Sequence, residues 1–447
     1  MRLLFLILTV VALVCAALSP ANGIQPADLA PYAGSAEQGD GSPADTSSQP
    51  TSHGQGDSDL PPGLWNKIRG DSRTRLTQMQ LDKIKQLESI GYLSGSRPKP
   101  KTSGVITYDS ARAFEGYNFY VSGHAPEAIL MDMEGRVLHT WSHDFSSIWP
   151  DLRDAKDDNK DFWRRAYLYK NGDILAIHEG IGLIKLDKHS KLLWKYGGKA
   201  HHDMDVMEDG RIYVLTRQGR VIPRINEEEP VVEDFITTLD ADGNEIDKVS
   251  ILECLERCDD KSLFNRMLRK GDILHTNTIE ILDGRLADRS PAFRAGNALI
   301  SILKLDAIAV VDLDKKKIVW SLTGKWRRQH QPTILPGGTM LLFDNRGYKS
   351  RSRVIELDPI TTKWIWQYRW NPDNPFYSKS SGSCQRLENG DTLITESDGG
   401  RAFEVTPDKS IVWEYVSPHR AGPDGEFIAT LFELVRLEPD FPLDWIP

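Results

Sequence analysis

One layout recurs along this chain from about Gly104 to its end, and it constrains the fold more than any other feature. Its second half is an apolar strand, a polar turn and another strand that closes near a tryptophan. AILMDMEGRVLHTW ends at Trp141, GLIKLDKHSKLLW at Trp194, FITTLDADGNEIDKV at Val249, IAVVDLDKKKIVW at Trp320, RVIELDPITTKWIW at Trp366 and RAFEVTPDKSIVW at Trp413. The first half is a further strand pair around a glycine turn, as in LYKNGDILAI, DVMEDGRIYVL, TILPGGTMLLF and RLENGDTLIT. Apolar runs of this length, broken by Asn-Gly, Asp-Gly or Gly-Gly, read as short strands joined by tight turns. Four strands per repeat is the pattern of propeller blades. Six repeats predict an all-β, six-bladed β-propeller over residues 104–447. The stretch Phe427–Leu437 reads as the final strand that closes the ring and removes a long exposed edge.

The period breaks between Val249 and Trp320. The surplus holds ILECLERCDDKSLFNRMLRK, helical in pattern, and a polar loop near Arg289 to Gly296. Insertions of this kind map to loops on one blade face. Cys254 and Cys258 sit four apart in the helical part and read as free or loosely paired thiols. With Cys384 and the leader's Cys15 they are the only cysteines, which excludes a disulfide scaffold.

Before the repeats, Arg2 precedes an apolar run from Leu3 to Leu18 with small residues at Ala21 to Gly23, so residues 1–23 read as a secretory signal, with an uncleaved membrane anchor as the alternative. This places the protein in the periplasm or outside the cell, with a membrane tether if the anchor stays. Residues 24–60 lack large apolar side chains and are expected to be a disordered linker. Leu76, Met79, Ile84, Leu87 and Ile90 recur near helical spacing, so 61–103 is read as a helical extension packed on the main domain. A net charge of −9 argues against a nucleic-acid partner.

Aligning the repeats on their turn glycines exposes the candidate site. Arg164, His202, His330 and Gly382 stand eight residues before Gly172, Gly210, Gly338 and Gly390, and His275 holds the same place before Gly284 to within one residue. Three consecutive blades therefore start their inner strand with a histidine, and in a propeller those positions meet at one mouth of the channel. Several polar rings buried together are costly without partners, which favours function over packing. His201 can face either way on an alternating strand. Lys325, Arg327 and Arg328 beside His330, with Arg164 and Arg165, make a cationic mouth suited to an anionic ligand. Of the other histidines, His124 reads as turn or core, His178 as a loop cap, and His139, His143, His189 and His419 as surface. The tryptophans at the repeat ends read as packing between sheets.

His202 in HHDMDVMEDGRIYVL, His275 in HTNTIEIL, the run ALISILKLDAIAVVDLD and His330 in QHQPTILPGGTMLLFDNRG together resemble the bacterial arylsulfotransferases that take sulfate from aryl sulfates rather than from a nucleotide, over about Gly104 to Pro447. The resemblance implies a six-bladed propeller and ping-pong transfer of a sulfuryl group from an aryl sulfate to a phenolic acceptor. It implies that His330 is transiently sulfated, that His202 and His275 polarise the group or move protons, and that Asn277 contacts substrate; no metal or nucleotide is required. The chain departs from the family where an arginine is expected in a Ser-x-Arg pattern: it reads Ser301, Ile302, Leu303, with Lys304 next. Leu303 cannot donate to a sulfuryl oxygen, and strand alternation should turn Lys304 to the opposite face. One such donor typically contributes about 2.7 to 4 kcal/mol in the transition state, which Arg164 or Arg328 would have to supply. Two other readings remain open. His202, His275 and His330 could hold a metal through three nitrogens, or the mouth could bind anions or sugars without catalysis.

Overall fold

The computed structural model describes residues 76–88, 94–152, 158–346 and 351–446. The expected leader at 1–23 and linker at 24–60 lie outside them. The described chain is mostly β and propeller-like, with six sheets of four or five strands, antiparallel except where Gly271–Asp272 runs parallel to Val231–Val232, and one small three-stranded sheet. Each of the six has one edge strand that meets its neighbours: β1 (Arg165–Leu168), β2 (Ala200–Val206), β3 (Thr276–Ile281), β4 (His330–Ile334), β5 (Ser383–Arg386) and β6 (Leu431–Leu437). Most of these touch the corresponding strand of the next sheet.

Why the middle strands are continuously apolar follows from the seams. Ala298–Ile302 (ALISI) and Ala307–Asp312 (AIAVVD) are buried at every position because both faces are covered, whereas Leu192–Tyr196, farthest from β1 in its sheet, alternates between half-buried and exposed. Six apolar clusters bridge consecutive sheets, the one with Tyr120, Met131, Leu393, Trp413 and Leu434 joining the last sheet to the first. Each seam buries apolar area worth about 25 cal/mol per Å². The repeat-end tryptophans stitch across: Trp141, Trp194, Trp366 and Trp413 donate their indole N–H to the carbonyls of Gly172 (2.9 Å), Ala241 (3.1 Å), Pro407 (2.9 Å) and Met133 (2.9 Å) of another sheet. Gly172 is needed twice over, since its φ is +87° and a Cβ there would lie 2.5 Å from the Trp445 ring.

Both chain ends close the arrangement. β6 pairs with Tyr117–Ser122, so the C-terminus supplies the edge strand of the sheet that the N-terminal repeats begin, and Gly104–Tyr108 adds a fifth strand to the last sheet against Ile411–Val416. Arg436 on β6 is fully buried with Glu404 at 3.0 Å and donates to Asn118 Oδ1 at 2.7 Å, which ties the last sheet to the first. Removing one partner of such a pair costs about 3–5 kcal/mol.

One expectation is corrected. Phe427–Leu437 is not one strand: Phe427–Ala429 joins the small sheet with Gly95–Pro98 and Arg420–Ala421. The Thr430 backbone separates it from β6, because its N–H goes to the Ser94 carbonyl (2.7 Å) and its carbonyl accepts from Gly123 (2.8 Å). Within the extension at 61–103, helix α1 spans Gln78–Glu88, and Gly95–Pro98 is extended, as Pro98 and Pro100 favour. Lys83 of α1 pairs with Glu229 at 2.7 Å and Gln80 bonds the Glu228 carbonyl at 3.1 Å, so α1 does pack on the sheets.

The insertion folds as α2 (Ile251–Glu256) and α3 (Ser262–Arg266). Cys254, Cys258 and Cys384 are buried free thiols, and burial pushes the Cys254 thiol up to about 12. No described helix is long and apolar enough to cross a membrane.

Candidate active site

The three aligned histidines sit at or beside irregularities in their strands. Register shifts lie between Ala200 and Met204 on β2, Thr276 and Thr278 on β3, and His330 and Thr333 on β4. His202, His275 and Gln331 have φ of +59°, +53° and +50°. A left-handed non-glycine residue costs roughly 1–2 kcal/mol. Such strain concentrates at functional sites, and bulges re-aim side chains away from simple alternation.

The result is a chain of imidazoles. His201 Nδ1 lies 2.7 Å from His202 Nδ1, His202 Nε2 lies 3.2 Å from His275 Nε2, and His275 Nδ1 bonds Asp272 Oδ2. Glu179 accepts from the His202 backbone N–H at 2.8 Å and lies 3.4 Å from Arg217. Burial, then the neighbouring Arg217, His275 and Arg164, hold His201 and His202 well below the usual histidine range. Burial pushes the other way on the carboxyls. Asp234, whose side chain accepts from Thr276 N at 2.7 Å, is lifted to about 7, whereas at Asp272 the His275 charge and hydrogen bond outweigh burial and keep it ionised.

Lys304 does not point away, as the strand reading expected. The strand Ala298–Ile302 ends at Ile302, and a 3₁₀ turn over Leu303–Leu305 brings Lys304 Nζ to 3.8 Å from Asp272. The Ser-x-Leu run therefore lies at the end of the second strand of its sheet. Leu303 N bonds the His275 carbonyl at 3.2 Å and its side chain is buried.

His330 is set apart from that chain. Its Nδ1 lies 3.0 Å from the Arg328 carbonyl and 2.7 Å from Asn345 Oδ1. A backbone carbonyl only accepts, so Nδ1 carries the proton. Asn345 uses its amide N–H groups on the Ser378 (3.0 Å) and Ser381 (2.8 Å) carbonyls, which turns its oxygen toward the ring. His330 is 3% exposed, and its Nε2 has no hydrogen-bond partner among the described residues. Burial pushes it down to about 3; the Asn345 bond opposes this, and Arg164 and His275 add to it.

The other expected residues divide. Arg164 is buried with its guanidinium 5.0 Å over the Phe432 ring, and its charge reaches both His202 and His330. Asn277 gives its amide to the Gln329 carbonyl at 3.0 Å, tying β3 to the segment before His330. Arg328 acts on His330 through its backbone, held by a bond from its N–H to Asp306 at 2.8 Å. His178 is core rather than loop cap, taking the Trp163 indole N–H at 3.1 Å, and His419 is not free surface but stacks on His124 at 3.5 Å. Donor atoms within 4.8 Å of one another belong, among the described residues, to Glu179, His201 and His202 and to His124, Glu127 and His419, not to the trio of the metal reading.

Space is distributed unevenly around these groups. The pocket between His201, His202, His275, Asp234, Asp272 and Arg217 holds about 10 Å³, and Leu87 of α1 lines it. A cavity of about 510 Å³ runs instead beside β1, β4, β5 and β6 toward the turns that end them, with Gln331, the neighbour of His330, on its wall. Arg165, paired with Asp203 at 2.8 Å and with Glu433, lines the larger cavity.

Sequence comparison decides the family. The arylsulfotransferase (ASST) family profile matches residues 165–418, which include His202, His275 and His330. The chain belongs to the arylsulfotransferase family. Arylsulfotransferases in general move sulfate from aryl sulfates to phenols, so the family implies a transferase acting on small molecules. No curated protein matches the chain. Among solved structures it is similar to a protein of unknown function from Bacteroides caccae (12% identity, 67% of this chain and 93% of that one, TM-score 0.45). It is also similar to streptogramin B lyase (14%, 78% and 96%, 0.41) and to the β-propeller domain of Cps50 (Swd1) from Myceliophteria thermophila (9%, 71% and 90%, 0.43). Likenesses this distant say nothing of activity.

Sequence reading missed Arg217, Asp272 and Asn345. Asn345 lies inside the quoted FDNRG run, but nothing local marks it, and Arg217 lies on Ile212–Arg220, with no offset shared with the histidines.

Proposed function

We propose that this arylsulfotransferase is a six-bladed β-propeller whose His330 Nε2 carries the sulfuryl group between an aryl sulfate and a phenol. The carrying observation is the buried Nε2 with no partner among the described residues, on a ring whose Nδ1–H is fixed by Arg328 and Asn345. That tautomer leaves the Nε2 lone pair available, and a pKa near 3 keeps it so at neutral pH. In the first step an N–S bond forms at Nε2 as the aryl O–S bond breaks, and the leaving phenolate takes a proton. In the second the acceptor's oxygen attacks sulfur, the N–S bond breaks and the phenolic proton returns. The chain Asp272, His275, His202, His201 is suited to lend and recover that proton. Arg164 and Arg217 supply positive charge where Leu303 has none, in a buried setting where charge stabilisation is strongest.

The apolar run at Leu3–Leu18 supports export to the periplasm or beyond, which the N-terminal sequence of the mature protein would decide. The reaction itself is tested with a chromogenic aryl sulfate and a phenol acceptor. His330→Asn is expected to abolish transfer, and rapid acid-free mass analysis of the wild type without acceptor should find one SO₃ unit on the His330 peptide. Equal turnover of wild type and variant would sink the proposed role.

A further inference from the structure

A second group of cations lies outside the histidine site. Arg353 begins the third strand of the sheet that β4 starts (Arg353–Leu357), and Arg369 ends the fourth (Trp364–Arg369); the two are directly opposed across the ladder. Like charges facing one another on a sheet are destabilising unless something neutralises them. Asp344 takes Arg353 at 2.7 Å, but Arg369 and Arg351 are exposed and form no ion pair among the described residues. The Arg351 guanidinium lies 3.7 Å from the centre of the Trp370 ring, making a flat cationic surface. Arg351, Arg353, Arg369, Trp370 and Asn371 line a groove of about 390 Å³, within the range of small-ligand sites. Ser352 in the groove donates to the carbonyl of Asn345, the residue whose side chain supports His330, at 2.9 Å.

From this juxtaposition we infer that the groove is a second binding site for aromatic anions, separate from the reacting histidines. An indole with a stacked guanidinium accepts a flat ring, and the unpaired Arg369 accepts its sulfate, sulfonate or carboxylate group. The inference rests on the aryl-sulfate reading for its choice of substrate class and deepens it: donor or product held here stands beside the nucleophile's own scaffold. A bare inorganic anion would leave the aromatic surface unused. A long acidic polymer would extend well beyond a groove of this size.

The probe is a naphthalene sulfonate, whose carbon–sulfur bond cannot take part in the transfer, titrated into the full chain at constant ionic strength. Arg351→Ala combined with Arg369→Ala should weaken a binding phase at least tenfold while the thermal unfolding midpoint stays in place. Inorganic sulfate should displace the probe only at far higher concentration. Unchanged binding in the double variant overturns the site, and sulfate competing as well as the sulfonate overturns the aromatic class. His330→Asn keeps this binding phase, so active His330→Asn would refute the sulfohistidine reading without touching the groove.

Discussion

The histidine end and the roomy end of the inner strands are built oppositely. Around His201, His202 and His275 there is about 10 Å³ of free space, under Leu87, whereas the cavity along β1, β4, β5 and β6 offers about 510 Å³. The first region gathers titratable groups in a desolvated cluster. The second is walled by apolar Phe119, Leu168, Met204, Leu341 and Val435 among paired charges such as Arg386 with Glu356. The contrast teaches that ring-sized room and clustered imidazoles are separate parts here, with Gln331, the neighbour of His330, on the wall of the larger space. A buried neutral nucleophile gains from exclusion of water, while an aryl group needs a pocket of the larger kind.

The sharpest break in that contrast would be a solvated His330. Its folded pKa of about 3 lies below the unfolded value of roughly 6.5. The group therefore contributes stability above the unfolded value, and loses it as pH falls, because only the unfolded chain takes up the proton. The unfolding free energy of wild type relative to His330→Asn should drop by about 1.4 kcal/mol per pH unit between roughly pH 6 and 4. A flat difference in denaturant titrations over that range would mean the ring is hydrated.

Next in size is the support of the ring. Asn345→Leu removes the oxygen that orients Nδ1–H, and kcat should fall about 10- to 100-fold with little change in donor KM. A variant with only a raised KM would move Asn345 from positioning His330 to shaping the cavity.

The smallest effect concerns the cover. Leu87→Ala strips part of an apolar contact worth about 1 kcal/mol, so acylation of the cluster histidines by diethylpyrocarbonate should accelerate about fivefold. No acceleration would mean that α1 does not limit access and that the tight end is closed by the strands themselves.

Much of this was legible in the residues. Turn glycines at fixed offsets and apolar strand runs dictate a series of small sheets packed on one another, since each pair of strands must bury both faces against a neighbour. The offset before those glycines picked out His202, His275 and His330 because it is a register position. Lys304 and Phe427–Leu437 were misread for one reason: strand alternation was extended past points where a 3₁₀ turn or the Thr430 hydrogen bonds to Ser94 and Gly123 end the ladder. Such endings depend on partners distant in sequence.

Asn345, Asp272 and Arg217 carry no local signal, because their meaning is the atom they face. The sequence by itself determined the repeat and the three aligned histidines, both of which follow from the recurrence of one strand-and-turn unit. Only the tertiary structure decided which nitrogen of His330 holds its proton, that His202 and His275 touch while His330 stands apart, and that the open space lies elsewhere. Those outcomes depend on seams between units, where burial and hydrogen bonding to another sheet set the chemistry.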